Sequence, residues 1–426
     1  MVRRARRAGR SPRAAKGATQ AVVIERLGNA GDGLAGNLAV PFTLPDELVT
    51  VRTEGRKGRV IAVERSSPAR AAPPCRHFGL PGDGCGGCKL QHLTEDDYRA
   101  WKRERLVWTL SRAGIEVPEP RLFASPPRSR RRAKLALRRA GGRVICGFRA
   151  LGTDRIVDLQ ECHILAPALF DAARCLPSLV GVMPFTGEVE AVVTLTGTGI
   201  EVAITGIDEM ALPLGAREAA TRIATELDLA RVTLDGVPLL ERRTPALSLG
   251  GVEVALPSGA FLQATREGEE QITALVTEAV RGAGLVADLF CGVGTFALPL
   301  SRVAKVFAAE AAEASVTALR AAAKRAGLPI EAEVRDLFTR PLLPNELSGF
   351  GAVLLDPPRA GAAAQAEALA RSEVPLVVYV SCDPGALSRD ARTLSACYDL
   401  TDLSLVDQFL WSPHIEAVAV FRRREG

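Results

Sequence analysis

The sequence predicts an α/β fold: a C-terminal half built as a mostly parallel sheet covered by helices, an α+β central region, and a small N-terminal β-barrel of the OB type. Three observations carry that expectation. From about residue 256, strand-like and helix-like runs alternate. Residues 19 to 70 are short β-rich runs broken by Gly, Asp and Pro, the spacing of a small barrel. Residues 123 to 250 mix strand and helix signals, with Gly141-Gly142 at the turn of an expected hairpin.

In the C-terminal part the expected strands are 286–290, 306–310, 331–336, 352–356 and 377–381, with helix-like runs "GTFALPLSRVAK" and "ASVTALRAAAKRAGL" between them. A sheet of this kind binds ligands at the carboxyl ends of its strands. Asp288, Glu310, Asp336, Asp356 and Cys382 fall at those ends. The chain divides into a basic tail (1–18, expected to be disordered), the β module (19–70), a central domain (71–255) and a catalytic domain (256–426). A helix near 93–122, polar on one face, belongs to the central domain by position and is able to pack on the catalytic one.

Composition narrows the class. The chain is 426 residues long, 47% hydrophobic and 24% charged, enough for two or three packed domains. It has no run of apolar residues long enough to span a membrane and no signal-peptide core, so the expectation is a cytoplasmic monomer without a disulfide scaffold. The net charge is +5, but residues 1–16 alone hold seven cations and no acid, leaving the rest at a net −2. A basic tail suits phosphate contacts, or is simply solvated. Nine cysteines with uneven spacing point to metal binding, catalysis or packing.

The run "DLFCGVGTFAL" carries Asp288, Phe290, Gly292 and Gly294, with Glu310 following 22 positions after Asp288. The glycines allow a tight turn and close approach to a ligand, and an acid at that spacing suits the hydroxyls of a ribose. Gly292-x-Gly294-x-x-Ala297 also fits a dinucleotide fingerprint, so a dehydrogenase stays open at this point. Asp288 ahead of the glycines repels a pyrophosphate and attracts an amino group; Asp336 is placed to meet an adenine amino group.

Three polar turns follow: Asp356-Pro357-Pro358-Arg359, Ser381-Cys382-Asp383-Pro384 and His414-Ile415-Glu416. Uracil C5 is a poor nucleophile until a thiolate adds at C6, and a base must then clear the C5 proton. One Cys, one carboxylate and a polar group for the uracil edge meet those needs: Cys382, Glu416 and Asp356. An acidic Pro-Pro turn also occurs in amino-methyltransferases acting on adenine or guanine, and a non-catalytic RNA-binding protein is a third alternative.

At these residues the chain resembles the RNA 5-methyluridine (uracil-C5) methyltransferase family, through "DLFCGVGTFALPL", "DPPRAG", "VYVSCDP" and "HIEAVAVF" in that order. The resemblance covers nearly all of residues 19 to 426. It implies a class I S-adenosylmethionine-dependent (Rossmann-like) catalytic domain, Cys382 as nucleophile, Glu416 as base and Asp356 near the target base. It implies cofactor contacts at Gln263, Asp288, Phe290, Gly292, Gly294, Glu310, Asp336 and Asp356. The chain departs from the family in having Asp383 where Asn is usual, Ala264-Thr265 after Gln263, and "FLWSPHIE" before the base. Asp383 beside the thiol raises its pKa unless the carboxylate is paired.

Upstream, Cys75, Cys85 and Cys88 share one loop and Cys162 follows in "LQECHIL". The spacing suits zinc and a [4Fe–4S] cluster equally. The resemblance favours the cluster, because ribosomal-RNA members carry one beside a Cys-Gly-Gly-Cys-x-x-Gln-His run, matched here by "CGGCKLQH". The segment "LPGDG" is an insertion expected to loop out. Arg130, Arg131, Arg132 and Lys134 lie in "RSRRRAKLALRR", seven cations in twelve residues, suited to phosphate contacts or to a solvated strand face. The family holds RNA with its equivalent segment and with an N-terminal TRAM module, which residues 19–70 resemble. The implied partner is RNA, with 23S ribosomal RNA ahead of transfer RNA, and no membrane.

Overall fold

The computed structural model describes residues 17–80 and 84–425. The basic run 1–16 and most of the "LPGDG" insertion lie outside them. The chain forms two compact units, one up to Arg70 and one from Ala71. The first is a curled six-stranded sheet in the order Thr19–Val23, Leu48–Glu54, Lys57–Arg65, Leu38–Val40, Gly33–Ala35, Arg26–Leu27. Its small core is Ile24, Val40, Val49 and Val51. The curl is compatible with the expected barrel.

The second unit holds two large sheets. A seven-stranded sheet runs Ile156–Asp158, Arg143–Arg149, Arg132–Ala140, Glu188–Thr196, Gly199–Thr205, Arg231–Leu234, Val237–Glu241. The expected hairpin is there: Ala140 pairs with Arg143, and Gly141 and Gly142 both take positive φ, which a glycine adopts at little cost. Helix Pro167–Gly181 packs its buried Leu169, Ala173, Leu176 and Leu179 on this sheet.

The other sheet has eight strands: Ile330–Val334, Lys305–Glu310, Leu285–Leu289, Ala352–Leu355, Leu376–Ser381, Ala417–Arg423, Tyr398–Asp407, Arg121–Ala124. The first five are parallel; Ala417–Arg423 runs antiparallel to both neighbours. Its central strands are buried on both faces and so read as nearly continuous apolar runs. Alternate residues serve opposite cores. Val286, Leu354 and Val378 meet helices Arg266–Ala279 and Glu313–Ala326, while Ala287, Leu355 and Tyr379 meet helices Ala363–Ala370 and Pro384–Leu394.

Three expectations shift. "GTFALPLSRVAK" keeps only a one-turn helix, Ala297–Leu300, because Pro299 has no N–H to return to the preceding turn. The third strand stops at Val334, two residues short of Asp336. The helix Glu95–Ser111, capped by Thr94 accepting from Asp97 N–H, joins the second sheet through Leu106 and Leu110, and Arg121–Ala124 adds an edge strand beside Tyr398–Asp407. Residues 95–124 therefore pack with the C-terminal sheet.

Candidate active site

The strand order reverses on either side of Leu285–Leu289, which puts a crevice at its carboxyl end. The chain leaves that strand through Phe290 at φ 66, an uncommon conformation for a bulky residue, then Gly292 at φ 55 and Gly294 at φ 93. A Cβ on Gly294 would lie 2.4 Å from the Leu319 side chain, so only glycine fits; at Gly292 the space is open. The backbone N–H of Gly292 donates to Glu310 Oε2 at 3.2 Å, and Ala312 N–H to Glu310 Oε1 at 2.9 Å. Asp288 is wholly buried and neither of its carboxylate oxygens has a hydrogen-bond partner. Burial, then the charges of Asp356 and Glu310, push it up to about 8, against a weak pull from the Ala297 N–H. An unpaired buried carboxyl beside a glycine turn suits a cationic ligand group. Asp336 sits on an exposed turn, where it accepts from Phe338 N–H and the Thr339 hydroxyl.

The second half of the cleft is set by strand register. Ser381 pairs with Ala417 across antiparallel strands, so Cys382 and Glu416 each lie one residue past the paired ends, where the Glu416 charge acts on the Cys382 thiol. Cys382 is half-buried, and burial, then the Glu416 charge, push its thiol up to about 11, while Arg359 pulls it down. Glu416 is buried, and desolvation, then the Asp356 charge, raise it to about 8. Asp356 is raised to about 7 by burial. Asp383 does not stand unpaired beside the thiol. Its carboxylate caps helix Pro384–Leu394, accepting from Ala386 N–H at 2.9 Å.

A chain of amides links the two acids. Gln263 Nε2 donates to Asp356 Oδ2 at 3.3 Å; Gln408 Nε2 donates to Gln263 Oε1 at 2.6 Å and to Glu416 Oε2 at 2.9 Å. At the mouth, Arg359 donates to the His414 ring at 3.1 Å. Burial, then the Arg359 charge, lower His414 to about 4, so it is a neutral acceptor.

A family model described as tRNA (Uracil-5-)-methyltransferase matches residues 344–424, the stretch that holds Asp356, Cys382 and Glu416. An RNA methyltransferase of Caulobacter vibrioides is 44% identical over 420 residues, 95% of this chain and 100% of its own length. The 23S rRNA (uracil(1939)-C(5))-methyltransferase of Chromohalobacter salexigens is 35% identical over 438 residues, 94% of this chain and 88% of its own. The chain belongs to the RNA uracil-5 methyltransferase family. The fold agrees: the crystal structure of the Pyrococcus abyssi tRNA (uracil-54, C5)-methyltransferase, solved with S-adenosyl-L-homocysteine, matches with a TM-score of 0.74 at 24% identity, covering 94% of this chain and all of the other.

Within this family member the structure gathers Gln263, Asp288, Phe290, Gly292, Gly294, Glu310, Asp356, Cys382 and Glu416 around one sheet end. Sequence reasoning missed Gln408. Its only signal was a polar residue just past the long strand Tyr398–Asp407, whose neighbour leads from Glu416.

The basic segment needs a correction. Arg131 is buried, ion-paired with Glu269 and donating to the Gln263 carbonyl at 3.1 Å, so it supports the cleft from behind and offers nothing to RNA. Arg130 lies over the Phe409 ring, with its guanidinium carbon 5.8 Å from the centroid, and Arg132 donates to the Gly259 carbonyl. Lys134 is exposed and pairs with Glu190 at 2.6 Å.

Cys75, Cys85, Cys88 and Cys162 line one cavity of about 380 Å³, together with Arg130, His163 and His414. Burial raises all four thiols, Cys85 to about 11 and Cys88 to about 12, with added repulsion from one another. Among the described residues no three His, Cys, Asp or Glu side chains are grouped to hold a metal ion. The loop is tied to the catalytic turn, since Lys89 and Leu90 N–H both donate to the Trp411 carbonyl. No helix among the described residues is long and apolar enough to cross a membrane.

Proposed function

We propose that this chain methylates C5 of a uracil in 23S ribosomal RNA, taking the methyl group from S-adenosylmethionine. The observation that supports the reading is that Cys382 and Glu416 follow the paired ends of adjacent strands, with Asp356 linked to Glu416 through the Gln263 and Gln408 amides. The unpaired Asp288 carboxyl, the Gly292–Gly294 turn and the Glu310 carboxylate fit the donor's amino acid and ribose, and Gln263, Phe290 and Asp336 complete the pocket. When bound there, S-adenosylmethionine supplies an electrophilic methyl group.

The residues divide the remaining work. Cys382 loses its proton as uracil enters, with Arg359 the cation nearest its thiolate, and the sulfur adds to C6. The electron pair pushed onto C5 takes the methyl group, and the pair of the broken carbon–sulfur bond stays on the donor's sulfur, which leaves as a neutral thioether. Glu416, as carboxylate, then removes the C5 proton; the C5–C6 double bond re-forms and the C6–S pair returns to Cys382. Asp356, held near neutrality, is able to donate or accept at the uracil edge.

Residues 256–426 form the catalytic domain in this reading, with 71–255 as the central domain; 19–70 serve as an RNA-holding module, and Arg130, Arg132 and Lys134 contact RNA phosphates. The likeness over 94% of the chain to a 23S rRNA enzyme supports that RNA over transfer RNA. The four thiols suit a [4Fe–4S] cluster: a cation in their cavity offsets the burial that holds them protonated, and a cluster spreads its ligands wider than a single ion does. Iron and acid-labile sulfide in anaerobically purified protein are the expected result; zinc without iron overturns it. Mapping 5-methyluridine in ribosomal and transfer RNA, with and without this gene, tests the substrate. Loss from 23S RNA is expected, and loss from transfer RNA alone overturns that assignment.

A further inference from the structure

The amide of Gln408 is fixed in one orientation. Its Oε1 accepts from the Ala264 backbone N–H at 2.8 Å, a donor that cannot reverse its role. Its Nε2 therefore faces Gln263 Oε1 at 2.6 Å and Glu416 Oε2 at 2.9 Å. Gln263 in turn has only its Nε2 left for Asp356. The side chain is buried at 2% exposure and packs on Gly268, where a Cβ would come 2.9 Å from its own Cβ.

The backbone that carries Gln408 is anchored on both sides. Asp407 accepts from Lys102 Nζ at 2.5 Å and from Tyr98 OH at 2.6 Å, all three buried, and Lys102 also donates to the Phe409 carbonyl. A buried, preorganised donor at 2.9 Å from a catalytic carboxylate stabilises its ionised form without any rearrangement during the reaction.

We infer that Gln408 is the positioning residue for the proton-abstraction step, orienting the Glu416 carboxylate and holding it ready to ionise. The inference rests on the uracil-C5 reading above. Thiol attack and methyl transfer precede that step, so the contact of Gln408 with Glu416 does not enter them. Removing its N–H takes away a pull that keeps Glu416 from rising further. The ionised base is then reached only at higher pH.

The test uses the full chain with Gln408→Met, which keeps length and loses both polar atoms. Wild-type protein incubated with S-adenosylmethionine and RNA containing 5-fluorouridine gives a covalent adduct if the uracil-C5 reading holds; no adduct overturns that reading itself. With Gln408→Met, adduct formation should stay within about twofold, while turnover on ordinary uridine RNA falls by about tenfold or more, a part of the roughly 10²- to 10⁴-fold that a general base contributes. A methylated covalent complex should accumulate on ordinary RNA, and the acid limb of the pH–rate profile should move up. Parallel loss of adduct formation and turnover with an unmoved acid limb, or unchanged turnover, overturns the inference. Should Gln408→Met melt early, Gln408→Asn, which keeps the amide but withdraws it by one methylene, is read in the same way.

Discussion

The catalytic cleft and the cysteine cavity both bury acidic groups within one compact unit, and burial raises the pKa of each. In the cleft, Glu416 and Asp356 each receive an amide N–H, from Gln408 and Gln263. Cys75, Cys85, Cys88 and Cys162 line one cavity, and their contacts are weak ones to sulfur, such as Gly87 N–H to Cys85 and the Gln91 side chain to Cys88. The difference teaches what burial is for in each place. The cleft holds acids near neutrality so that they exchange protons during a reaction. The cavity holds thiols that burial keeps protonated, as the proposed cluster site requires until its metal is bound.

The largest break in this picture comes from the nucleophile. Cys382→Ala should lower turnover by more than about 10⁴-fold, as expected when a covalent nucleophile is removed, and abolish the 5-fluorouridine adduct on a denaturing gel. An adenine or guanine amino-methyltransferase would keep its activity. Glu416→Gln should cost about 10²- to 10⁴-fold in turnover. It should leave Cys382 able to attack, so a covalent complex persists on ordinary RNA; loss of that complex would mean that Glu416 acts earlier.

The cavity is probed by Cys85→Ser with Cys88→Ser. Iron content should drop and the melting temperature fall by several degrees, because a group bound by the folded chain alone stabilises it. Cys146→Ser should keep the iron, since Cys146 is buried outside that cavity. Equal iron in both variants would remove the contrast between the two regions.

The smallest effect is in pH. Glu416, Asp356 and Asp288 are raised to about 8, 7 and 8 from ordinary values of 4.5, 3.8 and 3.8. Between pH 4 and 8 the folded chain thus holds protons that the unfolded chain has released. The stability these groups contribute is fullest below about pH 4 and is lost as pH rises towards 8. A sulfonium ligand favours the carboxylates and displaces those protons. The melting-temperature gain from S-adenosylmethionine should therefore grow between pH 6 and 8, and a gain independent of pH would show that the acids are already ionised.

Much of this was legible in the chain itself. Alternating apolar runs announce the parallel sheet, and the turns after its strands carry Asp288, Asp356 and Cys382 in plain view, because ligand sites on such sheets follow from topology. Glu416 was legible through its motif, and the short β runs of 19–70 through their turns. The basic run read as a surface, yet Arg131 turns inward. Arg131 lies one residue before the strand Arg132–Ala140, where alternation no longer says which way a side chain turns, and contacts from Glu269 and the Gln263 carbonyl hold it inside.

The amino-acid sequence by itself determined the periodicity, the glycine turn at Gly292–Gly294 and the reactive groups Cys382 and Glu416. Only the tertiary structure decided that the turns of Cys382 and Glu416 leave adjacent paired strands, that Gln408 bridges to Gln263, and that Glu95–Ser111 joins the C-terminal sheet. The reason is physical: local pattern fixes φ, ψ and the face of each residue, whereas register and partner are set by contacts between segments hundreds of residues apart, such as Tyr98 and Lys102 on Asp407.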